Sequence, residues 1–364
     1  MATTSQDISF MKTALGLARR GLGRVAPNPA VGCVIVRDGI TVGRGNTQPG
    51  GRPHAEVVAL AEAGEAARGA TAYVTLEPCS HTGQTGPCAD ALIKAGISRV
   101  VCATDDPDER VSGRGFEMLR NAGIKVDTGL LRAEADRINA GFFLKVREGR
   151  PLFTLKMASS MDGRIALANG ESKWITGPAA RAYGHLLRAQ HDAILIGTGT
   201  LLADDPMLDC RLAGLEDRSP VRILLDRHLK VTPEHKLVAT AKQTPTLILC
   251  EHGNDAGKAK LEAAGTEVIV LESLDDMQAI AKALGARGLT RVLVEGGGQV
   301  HASFLKAGLA DRVEHFMAPK LIGSDGKAVT GNLGLAALGH APHLTCVSIR
   351  RLGADILASF EKPE

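Results

Sequence analysis

Aromatic residues are scarce: they make up 3% of the chain, with one tryptophan (Trp174) and two tyrosines. That is poor material for stacking successive bases of an extended strand. An excess of either charge is also missing. Forty-three Lys and Arg against 40 Asp and Glu leave +3, too even for a broad nucleic-acid surface, although a local phosphate pocket is still allowed. No apolar run approaches the ~18 residues of a membrane span, and Met1–Phe10 lacks the apolar core of a signal peptide. No internal repeat or low-complexity tract is present. The seven cysteines (33, 79, 88, 102, 210, 250 and 346) are odd in number and widely spaced. That excludes a disulfide framework and points to a reducing compartment. A cytoplasmic protein without a nucleic-acid or membrane partner is expected.

What is present is enough for two folded domains: 364 residues, 44% apolar and 23% charged. Strand-like and helix-like segments alternate. Strands are expected at 31–36, 40–42, 71–76, 99–103 and 124–126, with helices at 54–67, 88–95, 115–122 and 131–146. Glu148-Gly149-Arg150-Pro151 then carries helix-exit signals. The rhythm restarts with strands at 153–157, 193–196, 221–225, 246–249, 267–270, 291–294 and 313–318. Helices are expected at 178–189, 256–264, 275–284 and 299–307. The reading is an α/β protein with domains at 1–149 and 150–364.

Four residues in the first half carry chemistry. His54 opens a helix, Cys79 follows a strand in Pro78-Cys79, and Cys88 opens the next helix. One His and two Cys suit a tetrahedral zinc with its fourth position left for water, the mark of a catalytic site. A helix start favours thiolate over thiol, and both cysteines are placed near one. Glu56, two residues from His54, can relay a proton between water and a departing amine without ligating the metal. His81 is a rival ligand, ranked below Cys88 because a Cys-x-His pair rarely spans one tetrahedral site. Cys33 and Cys102 lie in apolar strands and are expected to be core thiols. His-x-Glu followed by Pro-Cys resembles the zinc deaminases. The departure is in the second cysteine, which is separated from the first by eight residues instead of two.

In the second half, Gly296-Gly297-Gly298 sits between a strand and a helix, where backbone N–H groups can approach phosphate. The G-x-G-x-x-G fingerprint fails because His301 stands where the third glycine belongs. A Rossmann fold is therefore disfavoured. Lys156, Arg188 and Arg211 are cations able to hold a sugar phosphate. Ser172 and Glu295 can hydrogen-bond ribose or pyrimidine groups. The other histidines, His185 and His191 among them, are expected in surface or satisfied structural roles. No general acid is legible in this half.

Several blocks resemble the bifunctional deaminase-reductases of riboflavin biosynthesis. They are Ala26-Pro-Asn-Pro-Ala-Val-Gly-Cys33, Pro53-His-Ala-Glu56, Val74-Thr-Leu-Glu-Pro-Cys-Ser-His-Thr-Gly83, Leu155-Lys-Met-Ala-Ser-Ser-Met-Asp-Gly-Arg164, Gly170-Glu-Ser-Lys-Trp-Ile-Thr176, Leu187-Arg-Ala-Gln190, Gly199-Thr-Leu-Leu-Ala-Asp-Asp-Pro206 and Val294-Glu-Gly-Gly297. The resemblance runs in order over nearly the whole chain, and the long Cys-x8-Cys loop is typical of the family. It implies a cytidine-deaminase-like three-layer domain followed by a dihydrofolate-reductase-like domain, with Zn2+ and NADPH as cofactors. It further implies deamination of 2,5-diamino-6-ribosylamino-4(3H)-pyrimidinone 5′-phosphate, then reduction of its ribosyl group to ribityl. The partner is this small phosphorylated pyrimidine, and a homo-oligomer is expected.

By the same resemblance Asn28 contacts the pyrimidine, and Leu208 and Arg211 lie on the substrate side. Ala158, Trp174, Thr200, Asp204 and the run Gly297, Gly298, Gln299, Val300, His301, Ala302 and Ser303 match cofactor-side positions. The zinc loop departs from the family's Gly-Arg-Thr-Pro-Pro-Cys. It reads Gly83-Gln84-Thr85-Gly86-Pro87-Cys88, so Gln84 and Gly86 replace a charge and a proline, and no anion contact is assigned there. Two rivals stand beside this reading. One is a nucleic-acid adenosine or cytidine deaminase with an appended nucleotide-binding domain, disfavoured by the even charge and scarce aromatics. The other is a zinc-stabilised binding protein, against which Glu56 speaks for the first half.

Overall fold

A computed structural model describes residues 4–81, 86–108, 112–251 and 255–363. The chain divides into two compact units, Met1–Gly149 and Arg150–Glu364. The first contains α1 (Ser5–Gly21), β1 (Gly32–Arg37), β2 (Ile40–Asn46), α2 (Ala55–Ala63), β3 (Thr71–Val74), α3 (Cys88–Lys94), β4 (Arg99–Cys102), α4 (Arg114–Asn121), β5 (Lys125–Thr128) and α5 (Arg132–Glu148). Its five-stranded sheet runs β2-β1-β3-β4-β5. β1 is antiparallel to β2 and β3, whereas β3, β4 and β5 are parallel.

The period-2 pattern of the strands loads both faces. Cys33, Ile35, Ala72 and Val74 pack with Ala55 and Ala59 of α2, Leu92 of α3 and Phe116 and Leu119 of α4. Val34, Val36, Tyr73 and Val101 face Met11, Leu15 and Ala18 of α1 and Ala135 and Ile138 of α5. The result is a three-layer α/β/α unit, with Cys33 and Cys102 fully buried in its core. Two glycines let α2 lie close on the sheet. A Cβ at Gly43 or Gly45 of β2 would stand 2.2 Å from the Ala59 or Ala55 carbonyl oxygen, so the helix carrying the candidate site requires glycine at both positions.

The second unit contains β6 (Leu152–Ser160), β7 (Arg164–Ala166), α6 (Pro178–Ala189), β8 (Ala193–Gly197), α7 (Thr198–Asp204), β9 (Val221–Leu225), α8 (Lys236–Ala239), β10 (Thr246–Cys250), α9 (Asp255–Ala263) and β11 (Glu267–Val270). It continues with α10 (Met277–Ala286), β12 (Arg291–Val294), α11 (Gly298–Lys306), β13 (Arg312–Ala318), β14 (Lys327–Ala328), β15 (Thr345–Leu352) and β16 (Asp355–Glu361). Nine strands form one sheet in the order β11-β10-β9-β8-β12-β6-β13-β16-β15. The first seven are parallel, and β16 and β15 are antiparallel additions at the edge. Helices cover both faces. Ile280, Leu284 and Phe304 pack on one side of the sheet, and Leu187, Leu201, Leu237 and Leu261 on the other. Among the described residues, no helix is long and apolar enough to cross a membrane.

Arg150 opens this unit and locks it. Its guanidinium donates to both carboxylate oxygens of Asp311 at 2.8 and 3.0 Å, and Asp311 also accepts the Phe153 N–H at 2.8 Å. The two side chains are only 8% and 10% exposed. Breaking a buried ion pair by removing one partner costs about 3–5 kcal/mol. Arg150→Ala in the full chain is therefore expected to lower the second unit's unfolding free energy, read from urea denaturation, by that amount while leaving the first unit's transition in place. Coincident loss of both transitions would show that Arg150 acts elsewhere.

Candidate active sites

In the first unit three ligand atoms converge. His54 is the residue that caps α2, Cys88 is the first residue of α3, and Cys79 lies in the loop after β3. The donor atoms of His54, Cys79 and Cys88 all lie within 4.8 Å of one another. His54 Nδ1 is 3.3 Å from Cys88 Sγ and 3.8 Å from Cys79 Sγ. Zinc bonds of ~2.0 Å to nitrogen and ~2.3 Å to sulfur give a tetrahedral N···S edge of about 3.5 Å, so the spacing fits that metal. The sequence reading placed both cysteines near helix starts. Only Cys88 is in one. Cys79 reaches the same helix end through its sulfur, which accepts the Cys88 N–H at 3.3 Å. The neighbouring Cys88 thiol, assisted by His54 and that N–H, holds the Cys79 thiol down to about 4. His81, the rival ligand, lies outside this cluster.

Glu56 sits in the first turn of α2 and is 3% exposed. Burial first, then the charge on Cys79, pushes its carboxyl up to about 7. A carboxyl balanced near neutrality can both accept and return a proton. Asn28 stands on the loop before β1, and its Nδ2 donates at 3.1 Å to the carbonyl of Gly51, three residues ahead of His54. Gln84 lies outside the described residues, and Gly86 is exposed.

Glu77 was not singled out from sequence, yet it braces the metal loop. This 3%-exposed carboxylate accepts the N–H groups of Gly113 and Gly115, each at 3.0 Å. The approach to α4 is thereby tied to the turn before Pro78-Cys79. Its only sequence signal is its position beside that motif.

In the second unit the structure brings several of the expected residues together. Arg188 of α6 donates through Nε and Nη2 to Glu295 at 2.8 Å each, and through Nη1 to the Asp209 carbonyl at 2.9 Å. Lys156 Nζ of β6 is 4.0 Å from the same carboxylate. Burial raises Glu295, but the Arg188 and Lys156 charges overcome it and hold the carboxyl down to about 2. Arg188 is thus largely engaged, which leaves Lys156 and Arg211 as the less committed cations. Arg211 is exposed and donates to Asp209 Oδ1 at 2.7 Å. Leu208 is buried with φ +54°.

His185 lies beside this cluster, where its Nδ1 accepts the Arg211 main-chain N–H at 3.3 Å. Burial, Arg188 and Arg211 all lower its pKa. His191 is satisfied as expected, held by the Leu187 carbonyl and the Thr154 hydroxyl.

The glycine turn caps α11. A Cβ at Gly297 would find its nearest neighbour, Thr200 Oγ1, at 3.9 Å, so the space before the helix is open. That cradle fits a phosphate group approaching backbone N–H donors. Gly298 is fixed by packing instead, since its Cβ would stand 2.8 Å from the Ala328 carbonyl. Gln299 and Ser303 are exposed and Val300 is half-buried. Ala302 is buried, and the buried His301 pairs its Nδ1 with the Val329 carbonyl at 3.2 Å. Trp174 is 62% exposed, with the Arg181 guanidinium 4.5 Å from its ring centre. Asp204 lies 3.9 Å from Lys173. Ala158 is half-buried on β6 in register with Phe316, and Ser172 is half-buried on the segment between β7 and α6.

Comparisons with known proteins cover both units. Residues 4–104 match the cytidine and deoxycytidylate deaminase zinc-binding region, and residues 151–358 match the RibD C-terminal domain. The riboflavin biosynthesis protein RibD of Aquifex aeolicus is 42% identical over 98% of both chains. That of Escherichia coli is 44% identical over 96% of this chain and 98% of its own. The solved structure of Acinetobacter baumannii RibD is 37% identical and superposes with a TM-score of 0.89 over 99% of both chains. A Thermotoga maritima diaminohydroxyphosphoribosylaminopyrimidine deaminase/5-amino-6-(5-phosphoribosylamino)uracil reductase is 36% identical, with a TM-score of 0.88 over 98% of this chain and 99% of that one. The fold of the second unit is thus the dihydrofolate-reductase-like one. The chain belongs to the RibD family, whose members join a zinc-dependent deaminase and an NADPH-dependent reductase of riboflavin biosynthesis in one polypeptide.

Proposed function

We propose that residues 1–149 deaminate 2,5-diamino-6-ribosylamino-4(3H)-pyrimidinone 5′-phosphate and residues 150–364 reduce the ribosyl group of the product to ribityl. The observation that carries the first assignment is the buried Glu56 beside the converged His54, Cys79 and Cys88. These three residues would hold the zinc, which when bound would lower the pKa of its water toward neutrality. Glu56 takes a proton from the attacking water and delivers it to the leaving ammonia. Asn28 orients the pyrimidine.

In the second unit Lys156 and Arg211 hold the sugar phosphate. Arg188 keeps Glu295 ionised and aimed to accept hydrogen bonds from the substrate, with Ser172 and Leu208 completing that side. NADPH, when bound, supplies the hydride to C1′ of the open-chain or imine form. Residues 297–303 and Thr200 receive its phosphates, with Ala158, Trp174 and Asp204 lining the remaining cofactor side. We read the chain as a cytoplasmic homo-oligomer that acts without nucleic acid; its seven free cysteines support a reducing compartment, and sedimentation tests the assembly.

Ammonia release and NADPH oxidation, followed separately on the full chain, test the whole reading. Chelation of the metal should stop ammonia release from the diamino substrate while oxidation of NADPH by the deaminated substrate continues. Deamination of single-stranded nucleic acid, with none of the pyrimidine, would favour the nucleic-acid rival instead.

The ligand set has its own test. Cys88→Ser is expected to lose most of the one zinc per chain, and His81→Ala to keep it, by metal analysis of the purified proteins. The reverse result would move the ligand from Cys88 to His81.

A further inference from the structure

Asn139 lies on α5, beyond residues 4–104 that match the general deaminase region. It is 2% exposed. Its carboxamide grips the main chain of one residue: Ala30 donates its N–H to Oδ1 at 2.9 Å, and Nδ2 donates to the Ala30 carbonyl at 3.1 Å. In effect the side chain stands where a neighbouring strand would be.

Thr47 holds the same loop next to that grip. Its hydroxyl donates to the Pro29 carbonyl and accepts the Val31 N–H, each at 3.0 Å. Asn28 sits two residues before Ala30 and donates to the carbonyl of Gly51, three residues before His54. The line of contacts therefore runs from α5 through Ala30 and Asn28 to the segment that delivers the metal ligand. With Pro27 and Pro29 flanking Asn28, the loop has few other conformations and moves as a block.

We propose that Asn139 is a positioning residue for deamination, setting the place of Asn28 over the site from outside the general deaminase region. This rests on the reading that Asn28 contacts the pyrimidine. Misplacing a binding group by about 1 Å costs up to a hundredfold, and a lost ground-state contact raises KM more than it lowers kcat.

Asn139→Ala in the full chain is expected to raise the KM for deamination about tenfold, with kcat changed less than about threefold. Zinc should stay at one per chain and reduction of deaminated substrate should be unchanged. Asn139→Asp keeps the acceptor and loses the donor, so it should give a smaller rise in KM, and it carries the test if the alanine variant fails to fold. Tyr73→Phe removes another buried hydrogen bond of this unit, to Asp7 Oδ1 at 2.7 Å, and serves as the stability comparison. A KM for Asn139→Ala or Asn139→Asp no higher than that of Tyr73→Phe, or loss of zinc, overturns the proposal. Asn28→Ala is measured alongside. If its KM is that of wild type, the pyrimidine contact itself is wrong and the proposal falls with its premise; if it rises while the Asn139 variants do not, only the positioning role fails.

Discussion

Glu56→Gln should keep its zinc and its fold and lose deamination by a hundredfold or more, with reduction of the deaminated substrate continuing near the wild-type rate. Glutamine has the shape of glutamate, so the packing around this 3%-exposed side chain survives. What is lost is a proton carrier, and removing a positioned acid–base typically costs 10²–10⁴-fold. The apolar surroundings that lift the carboxyl toward neutrality are in place in the folded chain. Ammonia release, measured against zinc content on the same sample, decides the matter. Deamination that persists with full zinc would remove Glu56 from the proton path.

A second large effect is expected at Glu295. Glu295→Ala leaves Arg188 buried with both of its carboxylate bonds gone, a loss of about 3–5 kcal/mol. Reduction should fall with it, whereas deamination, housed in the other unit, should not. The pH dependence has a definite sign. The folded carboxyl is depressed from 4.5 to about 2, so its stabilisation is complete above 4.5 and disappears as pH falls toward 2. Wild type and Glu295→Gln should therefore differ most in unfolding free energy above pH 4.5 and converge on acidification. Parallel stability curves across that window would show that the Arg188 pair contributes nothing.

The order of elements in both units was legible because strand and helix periods speak locally. The strand at 31–36, a continuous apolar run, and the helix opened by Gly177-Pro178 are cases where the local signal is explicit. So was the metal site, since His54 and Glu56 open α2, Cys88 opens α3, and Cys79 follows Pro78 in the loop between β3 and that helix. α1 was overlooked despite a local signal. Thr4 and Asp7 form a reciprocal cap, and Met11, Ala14, Leu15 and Ala18 give a helical apolar stripe. The β15–β16 hairpin was missed for a different reason: β15 is a largely exposed edge strand with no clean alternation.

Other features carry no local signal at all. Ala30 and Asn139 are 109 positions apart. Arg222, fully buried, spends its donors on Thr246, Thr240 and the carbonyls of Leu237 and Thr244, with no carboxylate partner among the described residues. Its burial lowers it to about 10. In a sequence such an arginine is indistinguishable from a surface one.

The strand order of the second unit also sets a timetable for the ribosome. β6 is its first strand to be made, yet its partners are β12 and β13. About 160 residues separate the end of β6 from the end of β13. At roughly 5–20 residues per second, that strand waits on the order of 10–30 s for its neighbours. The first unit has no comparable wait, because β1 meets β2 across a two-residue turn and β3 soon after. The nascent chain thus emerges with one half able to close early. The other half holds an apolar strand in reserve, and that is the interval in which a chaperone would find it.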